Sequence, residues 1–154
     1  MWRSILPLTF VATVSGALMS LVSRKGVLAI AAVIDVALNA SSRPVSAKAL
    51  AARHRLPPRH LEPVLQALVR DGILKGIRGP HGGYELARER TRISADDILR
   101  AATTAEDVQP LPLPESTLVD DVLRPALAET ERTVSVALGR INVDDMIRCA
   151  EALK

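Results

Sequence analysis

The sequence predicts a mainly α-helical protein with one small β-hairpin, and three observations lead there. Hydrophobic residues make up 48% of the chain, yet Trp2, Phe10 and Tyr84 are its only Trp, Phe and Tyr. The core must therefore be built from Leu, Val, Ile and Ala, which suits helices. Apolar residues also recur at i, i+3 and i+4 in several segments, the helical period. The clear exception is Lys75-Gly76-Ile77-Arg78-Gly79-Pro80-His81-Gly82-Gly83-Tyr84-Glu85-Leu86. Two β-capable arms flank a Gly- and Pro-rich tip there, the pattern of a tight hairpin. A hairpin placed just after two short helices is the wing of a winged helix-turn-helix. The expected architecture is that unit followed by a long C-terminal dimerisation helix.

At 154 residues the chain makes one domain, or one domain plus an appendage, with a respectable core. Residues 1–22 are mostly apolar with a single charge at Arg3. A secretory signal and a membrane span both compete for this stretch, but Pro7, Thr9, Thr13, Ser15 and Gly16 dilute it. The expectation is a misassigned start, with translation beginning at Met19, or else a membrane- or partner-binding tail.

Ser23-Arg24-Lys25-Gly26 precedes a helix whose predicted inner face holds Val27, Ile30, Ala31, Ile34, Ala37 and Leu38. The stretch Asn39 to Pro44 stops it. Ser46 is placed as the N-cap of a short helix, Ala47 to His54, with Ala49, Leu50 and Ala51 inward. Arg55-Leu56-Pro57-Pro58 forms the turn to a third helix, which runs from Arg59 or His60 to Asp71. Its apolar stripe is Leu61, Val64, Leu65 and Leu68. Pro63 lacks the N–H a helix interior requires, which predicts a late or distorted start. Gly72 closes the helix.

Beyond the hairpin, Ser94 and Asp97 form a weaker version of a capping box for a helix running to about Ala102. Residues 103–115, with Pro110, Pro112 and Pro114, read as an exposed linker. An apolar stripe then extends through Val119, Val122, Leu123, Ala126, Leu127, Thr130, Val134, Ala137, Leu138 and Ile141, with Pro125 expected to kink the helix or mark a restart. So long an amphipathic helix has too little local core to cover it. A second copy of the chain is its expected partner; packing back onto its own domain is the alternative. Asn142 to Asp145 caps a last helix ending at Lys154. The resulting division is 1–22 extension, 23–102 winged-helix DNA-binding domain, 103–115 linker and 116–154 helical dimerisation region.

The net charge of +3 conceals an asymmetry. Residues 23–92 hold 13 Lys/Arg against 5 Asp/Glu, a net of +8, whereas residues 93–154 hold 6 against 12, a net of −6. A basic half gathers polyanion by counterion release, and an acidic half repels it. Coincidence of that basic half with a wing bearing Arg78 and His81 makes double-stranded DNA the expected partner. The lone Cys149 excludes an intramolecular disulfide and a CxxC zinc site. It fits a reducing cytoplasm, the expected location. No Gly-rich phosphate loop, metal-ligand cluster or nucleophile elbow is present, so no enzyme is expected.

At Leu61-Glu62, Asp71-Gly72-Ile73-Leu74 and Arg78-Gly79-Pro80-His81-Gly82-Gly83-Tyr84-Glu85-Leu86-Ala87 the chain resembles the Rrf2 family of bacterial transcriptional regulators, the group of the IscR, NsrR and CymR types. The likeness covers residues 19 to about 102, and Met19-Ser20-Leu21-Val22-Ser23 looks like the usual beginning of such proteins. It implies a winged-helix homodimer whose third helix enters the major groove and whose wing meets the minor groove. Arg59, His60 and Glu62 then occupy the exposed opening of the recognition helix and Arg78 the wing. Arg59 can bond guanine or phosphate, and Glu62 can accept from a cytosine amino group. His60 stands where the family often has Tyr. Ser46, Lys48, His81, Gly82 and Gly83 complete the candidate DNA-binding set, with Gly79, Gly82 and Gly83 expected to supply positive φ and close approach to phosphate.

Cluster-sensing relatives carry three cysteines after the fourth helix, and Thr103 to Leu118 has none. An iron–sulfur cluster needs several thiolates or equivalent ligands, so neither a cofactor nor a metal is expected. The expected function is a sequence-specific DNA-binding regulator, a repressor, acting as a homodimer on an inverted repeat, with any small-molecule or protein effector left open. The alternative is an interaction module that docks a protein through the winged helix; Arg59, Arg70 and Arg78 argue against it.

Overall fold

The computed structural model describes residues 22–40, 43–104 and 116–152. The expected N-terminal extension and the Pro-rich linker fall almost wholly outside them. Helix α1 (Arg24–Asn39) is followed by α2 (Ala47–Arg53), α3 (Pro58–Arg70), the hairpin β1 (Leu74–Ile77) and β2 (Gly83–Leu86), a 3₁₀ turn (Arg90–Arg92) and α4 (Ala95–Thr103). A π-helical turn (Leu118–Leu123) leads into α5 (Arg124–Gly139), and α6 (Val143–Glu151) ends the described chain. No helix among the described residues is long and apolar enough to cross a membrane.

Helix α1 lies at the centre, against α3, α4, α6 and β2. The Ser23 hydroxyl caps it by accepting from the Gly26 N–H at 3.0 Å, so it begins before the expected Gly26. Its buried face is Ala29, Ala32, Val33, Val36 and Ala37. This differs from the stripe read in the sequence: Ile30, Ile34 and Leu38 are only half-buried and Val27 is exposed. The helix is apolar nearly all round, so periodicity does not single out one face, and the small Ala29 and Ala32 allow the closer approach. Gly26 contributes in the same way, since a methyl there would meet Leu99 Cδ2 at 2.7 Å.

Helix α3 buries the predicted stripe of Leu61, Val64, Leu65 and Leu68 completely, each residue contributing about 1.5–3 kcal/mol of transfer free energy. Its start is earlier than expected. Pro58 stands at the first helical position, where its fixed φ is an advantage, and Pro63 sits inside the helix. The Pro63 ring is exposed, and it leaves the Arg59 carbonyl without an i+4 donor. Burial of Leu61 outweighs that loss. The far end is as expected: Gly72 at φ +66° closes a Schellman motif, with Gly72 N–H to Val69 O at 3.1 Å and Ile73 N–H to Leu68 O at 2.9 Å.

Strands β1 and β2 pair antiparallel in the register Leu74↔Leu86 through Ile77↔Gly83. Two complete capping boxes start α4 (Ser94, Asp97) and α6 (Asn142, Asp145). A bridge between Ser94 and Asn142 joins these helix starts, through Ala95 N–H to Ile141 O at 2.8 Å and Val143 N–H to Ile93 O at 2.9 Å. Val143 and Ile147 of α6 belong to the main core, so the terminal helix is part of the winged-helix body.

Helix α5 is different, being exposed along most of its length. Leu118, Val122, Leu127 and Val136 are 63%, 57%, 63% and 54% accessible. Pro125, the expected kink or restart, sits at the start of α5. The preceding turn widens, and the Arg124 N–H reaches Val119 O five residues back.

Candidate nucleic-acid interface

The wing is fastened to the start of α2. Val45 and Tyr84 exchange both backbone hydrogen bonds, Val45 N–H to Tyr84 O at 2.9 Å and Tyr84 N–H to Val45 O at 2.8 Å. Gly83 makes this contact possible, because a Cβ there would lie 2.5 Å from the Val45 carbonyl carbon and oxygen. At Gly82 a Cβ would lie 2.3 Å from the Ile77 oxygen. The expectation of positive φ is met in the wing only by Gly79, at +119°. Gly82 and Gly83 are required by close packing of backbone on backbone.

At the tip Arg78, Gly79, Pro80 and His81 are all exposed, with Gly82 N–H closing a turn onto Gly79 O at 3.0 Å. Across the strands Lys75 pairs with Glu85 at 3.0 Å. Arg78 has no such carboxylate among the described residues.

On the helix-turn-helix, Ser46 accepts from the Ala49 N–H at 3.1 Å as the predicted N-cap, and Lys48 is exposed. The turn uses Arg55 at φ +53°, the only non-glycine with positive φ among the described residues. Arg55 N–H to Ala52 O at 3.2 Å and Leu56 N–H to Ala51 O at 3.0 Å form a second Schellman motif, with Arg in the glycine position. In the opening turns of α3, Arg59, His60 and Glu62 are exposed around the buried Leu61. None of Lys48, Arg59, His60 and Glu62 has an ion pair among the described residues. They are free to meet a ligand.

A cluster not anticipated from the sequence fixes α2 to α1. Asp35, nearly buried, receives the Arg53 guanidinium in a bidentate pair, Nε to Oδ2 at 2.8 Å and Nη2 to Oδ1 at 2.6 Å. Asn39 Nδ2 donates to Asp35 Oδ1 at 3.0 Å. His54 Nε2 approaches Oδ2 to 3.2 Å at an angle too poor for a hydrogen bond, which leaves that buried nitrogen unpartnered. The hydrogen bond to Asp35 raises the Arg53 pKa above its ordinary value; desolvation opposes the rise and the carboxylate's charge reinforces it. One signal was available: Asp35 is the only carboxylate between residues 23 and 61 and lies within an apolar run.

An open cleft of about 440 Å³ between the α1–α2 connection and the wing tip collects Ser46, His81 and Gly82 from the expected set, and adds Asn39, Arg43 and Arg53. Lys48, Arg59, His60, Glu62, Arg78 and Gly83 do not line it.

The model of the Rrf2 family, described as Iron-dependent Transcriptional regulator, matches residues 22–149. The structure of T. potens IscR is similar with a TM-score of 0.66 at 31% identity, covering 86% of this chain and 90% of that one. CymR, the global cysteine regulator of B. subtilis, gives 0.60 at 26% identity, covering 82% and 95%. The HTH-type transcriptional regulator IscR of Cronobacter sakazakii is 32% identical over 83 residues, which are 54% of this chain and 51% of the relative. The chain spans about half the length of the curated relatives it matches.

The family description implies iron, and the donors here do not fit a thiolate-held cluster. Cys149 is the only cysteine of the chain and is half-buried on α6. No group of three or more His, Cys, Asp and Glu among the described residues could hold a metal ion. Residues 105–115, outside them, contain neither Cys nor His.

Proposed function

The chain belongs to the Rrf2 family of transcriptional regulators, and from that footing we propose that it binds DNA sequence-specifically as a homodimer, without an iron–sulfur cluster, and represses by occupying its operator. The observation that carries this reading is the set of exposed, unpaired side chains on α3 and the wing. Arg59, His60 and Glu62 open a helix whose other face is locked into the core, and Arg78 and His81 crown a hairpin tied to α2. A rigid helix presenting donors and acceptors suits base edges in a major groove. Backbone hydrogen bonds place the wing beside the start of α2, where it can reach phosphates or a minor groove.

The dimer reading rests on the exposed large apolar residues of α5 and the turn before it, Leu118, Val122, Leu123, Leu127 and Val136, a kind of surface that marks interaction sites when it is clustered. The cluster-free reading rests on the donor set: two Cys149 thiols are the most cysteine a dimer could bring, a cluster needs further ligands beside them, and no group of three or more His, Cys, Asp or Glu among the described residues could supply a metal site.

Selection of genomic fragments with the purified full chain, followed by salt titration on the recovered duplex, tests the proposal. An inverted repeat is expected, its half-site centres one helical turn or a multiple apart, with affinity falling steeply as salt rises. A reporter placed behind that site should be repressed. Binding indifferent to salt, or equal on scrambled duplex, refutes the reading.

A further inference from the structure

We propose that the cleft between the α1–α2 connection and the wing tip seats one backbone phosphate of the bound DNA, with Arg43 as the cation that neutralises it. The inference rests on the DNA-binding reading above and adds a residue and a ligand atom to it. Two elements distant in sequence form the walls: Asn39 with Arg43 and Ser46 on one side, and Pro80 to Gly82 on the other. The Val45–Tyr84 hydrogen bonds hold these walls together, and the close approach of Gly83 keeps the spacing fixed.

The charges within the cleft are unequal in availability. Arg53 is held through Nε and Nη2 in a bidentate pair with Asp35, so its charge is already balanced. Arg43 is exposed, no carboxylate lines the cleft, and no ion pair engages Arg43 among the described residues. His81 faces it from the wing, and the Ser46 hydroxyl, which uses its oxygen to cap α2, keeps its proton free to donate. The result is one unbalanced cation, one imidazole and one hydroxyl donor around an open groove. A small-molecule effector site would be enclosed and rich in apolar and aromatic side chains, whereas no Phe, Tyr or Trp lines this one. The shape and chemistry suit a phosphodiester lying across the mouth.

The test uses the full chain and its selected duplex in a fluorescence-anisotropy titration across salt. Arg43→Ala should weaken binding several-fold on selected and scrambled duplex alike. The log–log salt slope should become shallower by about 0.9 for each subunit bound, and Arg43→Lys should restore it. Neutral methylphosphonate placed at single positions should identify one phosphate per half-site whose replacement harms the wild type but costs Arg43→Ala nothing further. Circular dichroism should show both variants folded, since Arg43 is exposed. An unchanged salt slope in Arg43→Ala, or losses that add to methylphosphonate at every position, overturns the proposal. Inorganic phosphate alone shifting the His81 imidazole resonances, together with a flat methylphosphonate scan, assigns the cleft to a free anion and also overturns it. Failure of the wild type to bind any duplex would instead remove the reading beneath it.

Discussion

Replacing Gly83 with Ala puts the attachment of the wing under direct test. The added methyl would sit 2.5 Å from the Val45 carbonyl carbon and oxygen and 2.8 Å from the Ser46 nitrogen. All three are backbone atoms, so no side chain can rotate away and β2 must withdraw. The two Val45–Tyr84 hydrogen bonds then break, at about 1 kcal/mol each. Partial uncovering of Val45, now 5% accessible, adds about 1 kcal/mol. A total near 3 kcal/mol lowers the Tm of a chain this long by about 6–12 °C. Gly76→Ala is the matched control, because its methyl meets nothing within 4 Å in the same hairpin; it should stay within about 0.5 kcal/mol of wild type. Thermal melts followed by circular dichroism compare the two, and anisotropy at a temperature where both are folded should show lost DNA affinity only for Gly83→Ala. If Gly83→Ala melts with Gly76→Ala, the backbone contact is not what fixes the wing.

Arg55→Gly should stabilise the protein by about 0.5–1 kcal/mol, since it removes a left-handed conformation costing an L-residue about 1–2 kcal/mol and gives back part in unfolded-state entropy; chemical denaturation checks the sign. Arg59→Ala and Glu62→Ala should relax base preference by about 1–3 kcal/mol per lost contact, measured as the affinity ratio between selected and single-base-changed duplexes; unchanged ratios in both would mean that α3 is not the reading helix. Val122→Asp with Leu127→Asp should yield folded monomers in sedimentation, because both residues are exposed within the chain, and a mutant that still sediments as a dimer moves the interface elsewhere. Protein purified without oxygen should contain no stoichiometric iron or sulfide, and Cys149→Ser should bind DNA like wild type under reducing conditions; a bound cluster whose destruction abolishes binding would overturn that expectation.

Local signals in the sequence survived where the physics is local. Ser46, Ser94 and Asn142 cap the helices they precede, and Gly72 ends α3, because each depends on residues within four positions. The hairpin followed in the same way from β-capable arms around a Gly- and Pro-rich tip. What was hidden depends on distant partners. The buried face of α1 was read only in part, with Ala37 buried and Ile30, Ile34 and Leu38 packed at the core's margin, because an almost wholly apolar helix has no polar face to orient it. Arg53 was passed over because its carboxylate lies 18 residues away; the isolated Asp35 hinted at a buried charge, but nothing in the sequence named its partner. Gly82 and Gly83 were recognised as special, but the positive φ expected of them is absent, and what requires glycine there is the backbone of Ile77 and Val45, which only the folded chain brings near. Likewise, Pro63 was judged by helical rules alone, without the weight of Leu61 in the core.

The bridge between Ser94 and Asn142 has a topological consequence. It brings the starts of α4 and α6 together, and α5, which lies between them in sequence, packs against α4, with Arg100 Nη2 donating to Ser135 Oγ at 3.1 Å. Ser94 and Asn142 are thereby held on adjacent backbone, and lengthening a flexible connection between two such pinned points is inexpensive, each doubling costing only about 0.6 kcal/mol in closure entropy. The reverse holds at the C-terminus: a stop codon after Gly139 would take the plug of Val143 and Ile147 out of a globule whose first helix begins more than a hundred residues earlier.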